Sequence, residues 1–184
     1  MTRFMLLIGA AIACACSSDP AKQQASAKDE AARMRAPEVP LAKFGSVELL
    51  PTAISPDVAS KPERVPVAEQ VGQKLEARLR PLIQEWGSSA PAELRGRVLV
   101  IKPTVVALKV VSAGIFRSAW AGDSYITLQM VLTDKESGRV IADPIIKKSA
   151  DAWEGAMSAS SSDKSLADYV VSIAYQYLLD NHKP

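Results

Sequence analysis

The chain has 184 residues, room for one domain of ordinary size with appendages. Apolar residues make up 48% and charged residues 23%, the balance of a globular protein, and the formal net charge of +2 leaves no basic surplus to gather on a nucleic acid. Both cysteines, Cys14 and Cys16, lie near the N-terminus and the only histidine is His182. The body of the chain therefore cannot build a disulfide framework, a thiolate or His-rich metal site, or a Ser-His or Cys-His catalytic pair.

Residues 1–15 read as a secretory signal: Arg3 near the start, an apolar run from Phe4 to Ile12, and a small-residue exit. The run is short of the roughly 20 apolar residues needed to span a bilayer. It ends in two lipobox-like exits, Ala11-Ile12-Ala13 before Cys14 and Ala13-Cys14-Ala15 before Cys16. The fuller apolar run before Cys16, and the polar Ser17-Ser18-Asp19 after it, favour Cys16, with Cys14 the alternative. This end resembles bacterial lipoprotein signals, in which the cysteine is acylated and becomes the first residue of the mature chain. Neither cysteine is followed by Asp, and by that resemblance the anchor belongs on the periplasmic face of the outer membrane. Several acyl chains bury enough CH₂ groups to make such an anchor effectively permanent.

Residues 16–40 are rich in Ala, Pro and polar side chains and lack a large-aliphatic period, so a flexible tether is expected, with Ala25–Arg35 at most transiently helical. A single domain is expected over residues 41–184. Val47–Ile54 reads as a first strand, bent or at an edge because Pro51 cannot donate to a ladder. Pro62 and Pro66 then precede a helix with Val67, Val71, Leu75, Leu79, Leu82 and Trp86 on one stripe. Pro81 is expected to kink this helix without ending it, since the stripe continues past it.

Val98–Val111 is a long β-branched run, and Ser112–Asp123 a loop holding Phe116, Arg117 and Trp120 between glycines. Tyr125–Thr133 alternates with Ile126, Leu128, Met130 and Leu132 on one face, as a strand buried on one side requires. Asp134–Gly138 reads as a tight hairpin with Gly138 at positive φ, returning through a strand over Arg139–Ala150. The last helix has Leu166, Val170, Ile173 and Tyr177 on its stripe, with Ser165 and Asp168 in capping-box spacing. The fold class is α+β: a two-layer sandwich in the order β-α-β-β-β-α, a mixed four-stranded sheet with two helices on one face. The first two strands should be parallel, through a right-handed crossover, and the last three an antiparallel meander.

The lipobox, Val47-Glu48-Leu49-Leu50-Pro51, the Val98–Pro103 run and Leu132–Ala142 with its Asp-x-x-x-Gly hairpin resemble a proteobacterial lipoprotein family whose shared domain is of unknown function (3313-type). The similarity covers roughly residues 41–155 and its motifs are structural. More distantly, the element order is similar to the small α/β domains of curli-secretion and outer-membrane assembly lipoproteins. That resemblance implies the fold and the envelope compartment, and brings no catalytic residues.

Few residues point to chemistry. The acids Asp134, Glu136, Asp143, Asp151 and Glu154 flank a hairpin and a strand end, where acids collect for structural reasons. Carboxylates that work as an acid–base pair need a concave, partly dry setting. The serine run Ser158–Ser162 has no base to activate it. Phe116, Arg117 and Trp120, with Trp153 as a weaker second, are the interface candidates, against the plainer reading of a satellite core under the loop. The expected function is non-enzymatic, a membrane-tethered periplasmic binding or assembly module working through protein contacts. The alternative is a binder of a lipid, glycan or other small envelope component in a sheet–helix groove. No cofactor, metal or nucleic acid is expected.

Overall fold

Alternating burial along Val98–Lys109 and Ser124–Asp134 makes these the two long central strands of a mixed sheet. The structure, a computed structural model, describes residues 20–109, 124–150 and 162–183. In chain order the elements are α1 (Pro20–Ala32), β1 (Ser46–Leu49), β2 (Ala53–Ile54), α2 (Pro56–Ala59), α3 (Val65–Ser89), β3 (Val98–Lys109), β4 (Ser124–Asp134), β5 (Val140–Ala142), β6 (Ile145–Ala150) and α4 (Ser162–Asn181). Short 3-10 turns at Leu41–Lys43, Pro62–Arg64 and Ala92–Leu94 punctuate the connections.

The six strands occupy four lanes. β1 and β2 both run parallel to β3, with Val47 opposite Leu99 and Ile54 opposite Val105, so they are one lane interrupted at residues 50–52. Pro51, which lacks an N–H, sits in the gap. β5 and β6 both run antiparallel to β4 and are likewise one lane, interrupted at Asp143-Pro144. There the Met130 N–H donates to the Pro144 carbonyl at 3.0 Å, keeping the ladder closed across the break. The expected α+β order is present, with its first and fourth strands each split around a proline. The hairpin between β4 and β5 closes as expected: Gly138 has φ +68 and its N–H donates to the Asp134 carbonyl at 2.8 Å.

One face of the sheet is covered. Leu99, Ile101, Val105 and Leu108 of β3 and Ile126, Leu128, Met130 and Leu132 of β4 are buried together with Val71, Leu75, Leu79, Leu82 and Trp86 of α3. Leu166, Val170, Ile173 and Tyr177 of α4 complete the same core. α3 continues through Pro81 to Ser89, the proline lying on its exposed side. α4 starts at Ser162, a turn before the expected cap at Ser165, and Asp168 forms an ion pair with Lys74 of α3 instead.

The tether expected over residues 16–40 needs correction. From Pro20 to Ala32 the chain is a helix packed along α4, and Ala27 and Ala31, one turn apart, are only 1% and 3% exposed. Small side chains let the two helices approach closely, so the contact needs no large aliphatic stripe, which is why that stripe was absent from the sequence. Polar contacts hold the same seam. The Tyr169 hydroxyl donates to Glu30 Oε1 at 3.1 Å, Lys148 Nζ donates to the same oxygen at 2.6 Å, and Ser26 and Tyr169 hydrogen-bond through their hydroxyls. Further along, the Tyr177 hydroxyl donates to the Arg35 carbonyl at 3.0 Å.

Candidate binding surface

The residues singled out from the sequence as lipid or partner contacts lie outside the described residues: Cys14 and Cys16 before residue 20, Phe116, Arg117 and Trp120 within 110–123, and Trp153 within 151–161. Asp151 and Glu154 fall there too. The remaining acids have structural settings. Asp134 Oδ1 accepts the Glu136 N–H at 3.0 Å within the hairpin, and Oδ2 accepts from Arg97 Nη2 at 3.2 Å. Burial pushes the Asp134 carboxyl up, but those hydrogen bonds, with one from Ser137, outweigh it and hold the group below its ordinary value. Asp143 sits in the break between β5 and β6. Among the described residues no three His, Cys, Asp or Glu side chains are grouped as a metal site would need. His182 lies flat on Trp86, ring centroids 3.8 Å apart and planes 6° from parallel. That contact ties the end of α4 to α3.

The face of the sheet away from the helices is open at Lys102, Val140, Ile145 and Lys147, whereas Thr127 on the same face is only 8% exposed. Register assigns its side chains: Val100 opposite Thr133, Lys102 opposite Val131, Thr104 opposite Gln129, and on the far lane Ile145 beside Gln129 and Lys147 beside Thr127. Val140 pairs with Thr133 and shares this face. Val140 is 48% exposed and Ile145 59%, the two most exposed large apolar side chains among the described residues. With the half-buried Val100 and Val131 they form an apolar strip on either side of the Asp143-Pro144 break. The exposed Lys102 and Lys147 belong to the same face, whereas its acid Glu48 is engaged by Lys135 at 2.7 Å. The surface is therefore apolar along one edge and basic around it.

A groove of about 440 Å³ opens beside this strip, between Val140–Ile145 and the connector residues Met34, Arg35 and Glu38. The Glu38 N–H donates to the Ile141 carbonyl at 2.9 Å, so the connector docks on the edge of the sheet and forms the groove's wall. Arg139 bonds the Glu38 carboxylate and holds its pKa below the usual value. Other hollows flank α3. One of about 490 Å³ lies between α1, α3 and α4, lined by Lys74, Asp168, Val171 and Gln176 among others. A crevice of about 210 Å³ lies between β1 and α3, lined by Val47, Leu49, Leu75 and Ile83 with Glu76 and Arg80 paired at its mouth.

Val140 and Ile145 were legible in principle but were read only as parts of a strand. The sequence doubles its apolar residues there, Val140-Ile141 and Ile145-Ile146, and in a sheet buried on one face only one of each pair can point inward. Ile141 and Ile146 are the buried members.

No family model matches the chain, and no curated protein matches it. Solved structures with a similar course include the dodecameric PelC of Paraburkholderia phytofirmans, at 15% identity over 79% of this chain and 94% of that one, with a TM-score of 0.46. A candidate lipoprotein from Caulobacter crescentus aligns at 11% identity over 86% of this chain and 95% of that one, TM-score 0.35. A Xanthomonas campestris protein of the DUF330 family aligns at 10% identity over 79% and 84%, TM-score 0.36. This likeness is too low for any property of those proteins to be carried over.

Proposed function

We propose that the chain is a lipid-anchored protein of the bacterial envelope that acts through protein contacts, as a periplasmic binding or assembly module without a reaction of its own. The observation that carries the contact reading is the exposed strip of Val140 and Ile145 beside a groove, on the sheet face that also carries Lys102 and Lys147. Isolated exposed apolar residues are ordinary, but a strip of them with a groove alongside suits the centre of an interface. Lys102 and Lys147 around it favour a partner with an apolar ridge and acidic flanks. The lipid anchor rests on the signal-like N-terminus with Cys16, or Cys14, as the acylated residue. Outer-membrane placement follows from the resemblance of that signal.

A second reading, a binder of a small envelope component in the sheet–helix groove, rests on the crevice between β1 and α3. At about 210 Å³ it is below the ~300–1,000 Å³ of ordinary ligand pockets, and suits the end of an acyl chain better than a glycan. Two measurements test the proposal. Mass spectrometry of the mature N-terminus should show an acylated cysteine at position 16 or 14, and an unmodified terminus at Ser17 or beyond would end the anchor reading. Purification from detergent-solubilised membranes should recover a protein partner at fixed stoichiometry, whereas lipid or glycan recovered alone would favour the crevice.

A further inference from the structure

The helices that cover the sheet run parallel, and the upstream chain joins the domain at the end where they begin. Ser26 and Glu30 of α1 meet Tyr169 near the start of α4, while Arg35 meets Tyr177 further along it. Lys74, Arg78 and Trp86 of α3 meet Asp168, Tyr175 and His182 in the same order. Lys148, near the end of β6, bonds Glu30; Ala150 pairs with Ser124, and Lys109 with Tyr125. The starts of α1, α4 and β4 and the ends of β3 and β6 therefore share one pole. The Asp134–Gly138 hairpin and the end of α4 lie toward the other. The 20 residues of α4, at ~1.5 Å each, separate the two by about 30 Å.

Resting on the lipid-anchor reading above, we propose that the pole bearing the start of α1 stands on the bilayer, so that the anchor fixes how the domain is oriented as well as where it is. Four chain steps separate Cys16 from Pro20 and six separate Cys14 from it. At ~3.6 Å per step these reach about 14 Å or 22 Å at most, whatever path they take, which is less than the long axis of the domain. α1 cannot act as a swivel, because Ala27 and Ala31 are buried against α4 and Glu30 is bonded to both Tyr169 and Lys148. Both broad sides carry charge: Lys74–Asp168 and Glu76–Arg80 on the helix side, Lys102 and Lys147 on the sheet side. Laying either side on lipid would cost those charges water. Standing on the pole leaves both hydrated, and keeps the exposed Val140 and Ile145 off the bilayer.

The test places a single fluorophore on the acylated mature protein, at Gln24→Cys near the α1 pole or at Ser137→Cys in the hairpin. Whichever of Cys14 and Cys16 is not acylated is replaced by Ser. The protein is reconstituted into zwitterionic vesicles containing a lipid with a nitroxide on its headgroup. Quenching should be several-fold stronger at position 24 than at position 137. Inserting a ~20-residue Gly-Ser segment before Pro20, with a root-mean-square span of about 25 Å, should remove most of that difference. Equal or reversed quenching in the uninserted protein overturns the orientation while leaving the anchor intact. Failure of the protein to float with the vesicles, together with an N-terminus that carries no acyl mass, overturns the anchor reading and this inference with it.

Discussion

His182, stacked on Trp86 at the end of α4, links the protonation of one side chain to the fixing of a helix. Burial lowers its pKa from the ordinary 6.5, and the neighbouring Glu85 only partly opposes that. Between the folded pKa and 6.5 the unfolded chain binds more protons than the folded one. The stabilisation is therefore complete above 6.5 and is lost as the pH falls through that window toward the folded pKa. His182→Phe keeps a stacked ring and removes the titration. It should flatten the fall in melting temperature between about pH 7 and pH 5 seen in the parent, and an unchanged fall would assign the effect elsewhere. Two glycines make a second residue-scale contrast. A Cβ on Gly45 would overlap the Leu94 carbonyl and threaten the bond from the Gly45 N–H to the Arg97 carbonyl, 3.0 Å. Gly87, inside α3, has open space around it. Urea denaturation should show Gly45→Ala losing about 1–3 kcal/mol and Gly87→Ala gaining about 0.4–1 kcal/mol. Equal effects would mean that the turn at Leu94 yields. The positive φ of Gly138 was readable, because the turn that needs it is local. The need at Gly45 was not, because its obstacle lies on a turn about 50 residues away that only the fold brings near.

Elements were read best where one pattern decided them. The alternation in β4 and the stripe of α3 each specify a buried face, and the structure buries those residues except Val67, which is half-buried. The two interrupted lanes were read as single strands, since Pro51 and Pro144 break the ladder without changing which lane the chain follows. α1 was missed because its contact consists of alanines and hydrogen bonds, which look the same in a tether as in a close helix seam. Ala27→Asp combined with Ala31→Asp separates the two cases. In a tether the changes would leave stability within about 0.5 kcal/mol, whereas at a buried helix seam two unpaired carboxylates should cost several kcal/mol, on the order of 3 or more. An unchanged denaturation midpoint would return residues 20–32 to the tether.

At the scale of the molecule, a sheet covered on one face by parallel helices leaves the part of its other face around Val140 and Ile145 for contact. The layered architecture could be read from periodicity; of the contact surface only the two apolar pairs were legible, and which member of each turns outward was not. The aromatic residues favoured from the sequence, Phe116, Trp120 and Trp153, fall outside the described residues, and the candidate surface lies on β5 and β6. Val140→Lys with Ile145→Lys tests the central claim most directly. Both side chains are about half exposed and neither belongs to the buried core, so the double variant should keep the melting temperature of the parent within about 2–4 °C, the shift of roughly 1 kcal/mol. The same variant, acylated and purified from detergent-solubilised membranes, should lose the partner that the parent recovers at fixed stoichiometry. Undiminished recovery at an unchanged melting temperature would contradict a protein-contact role for this face.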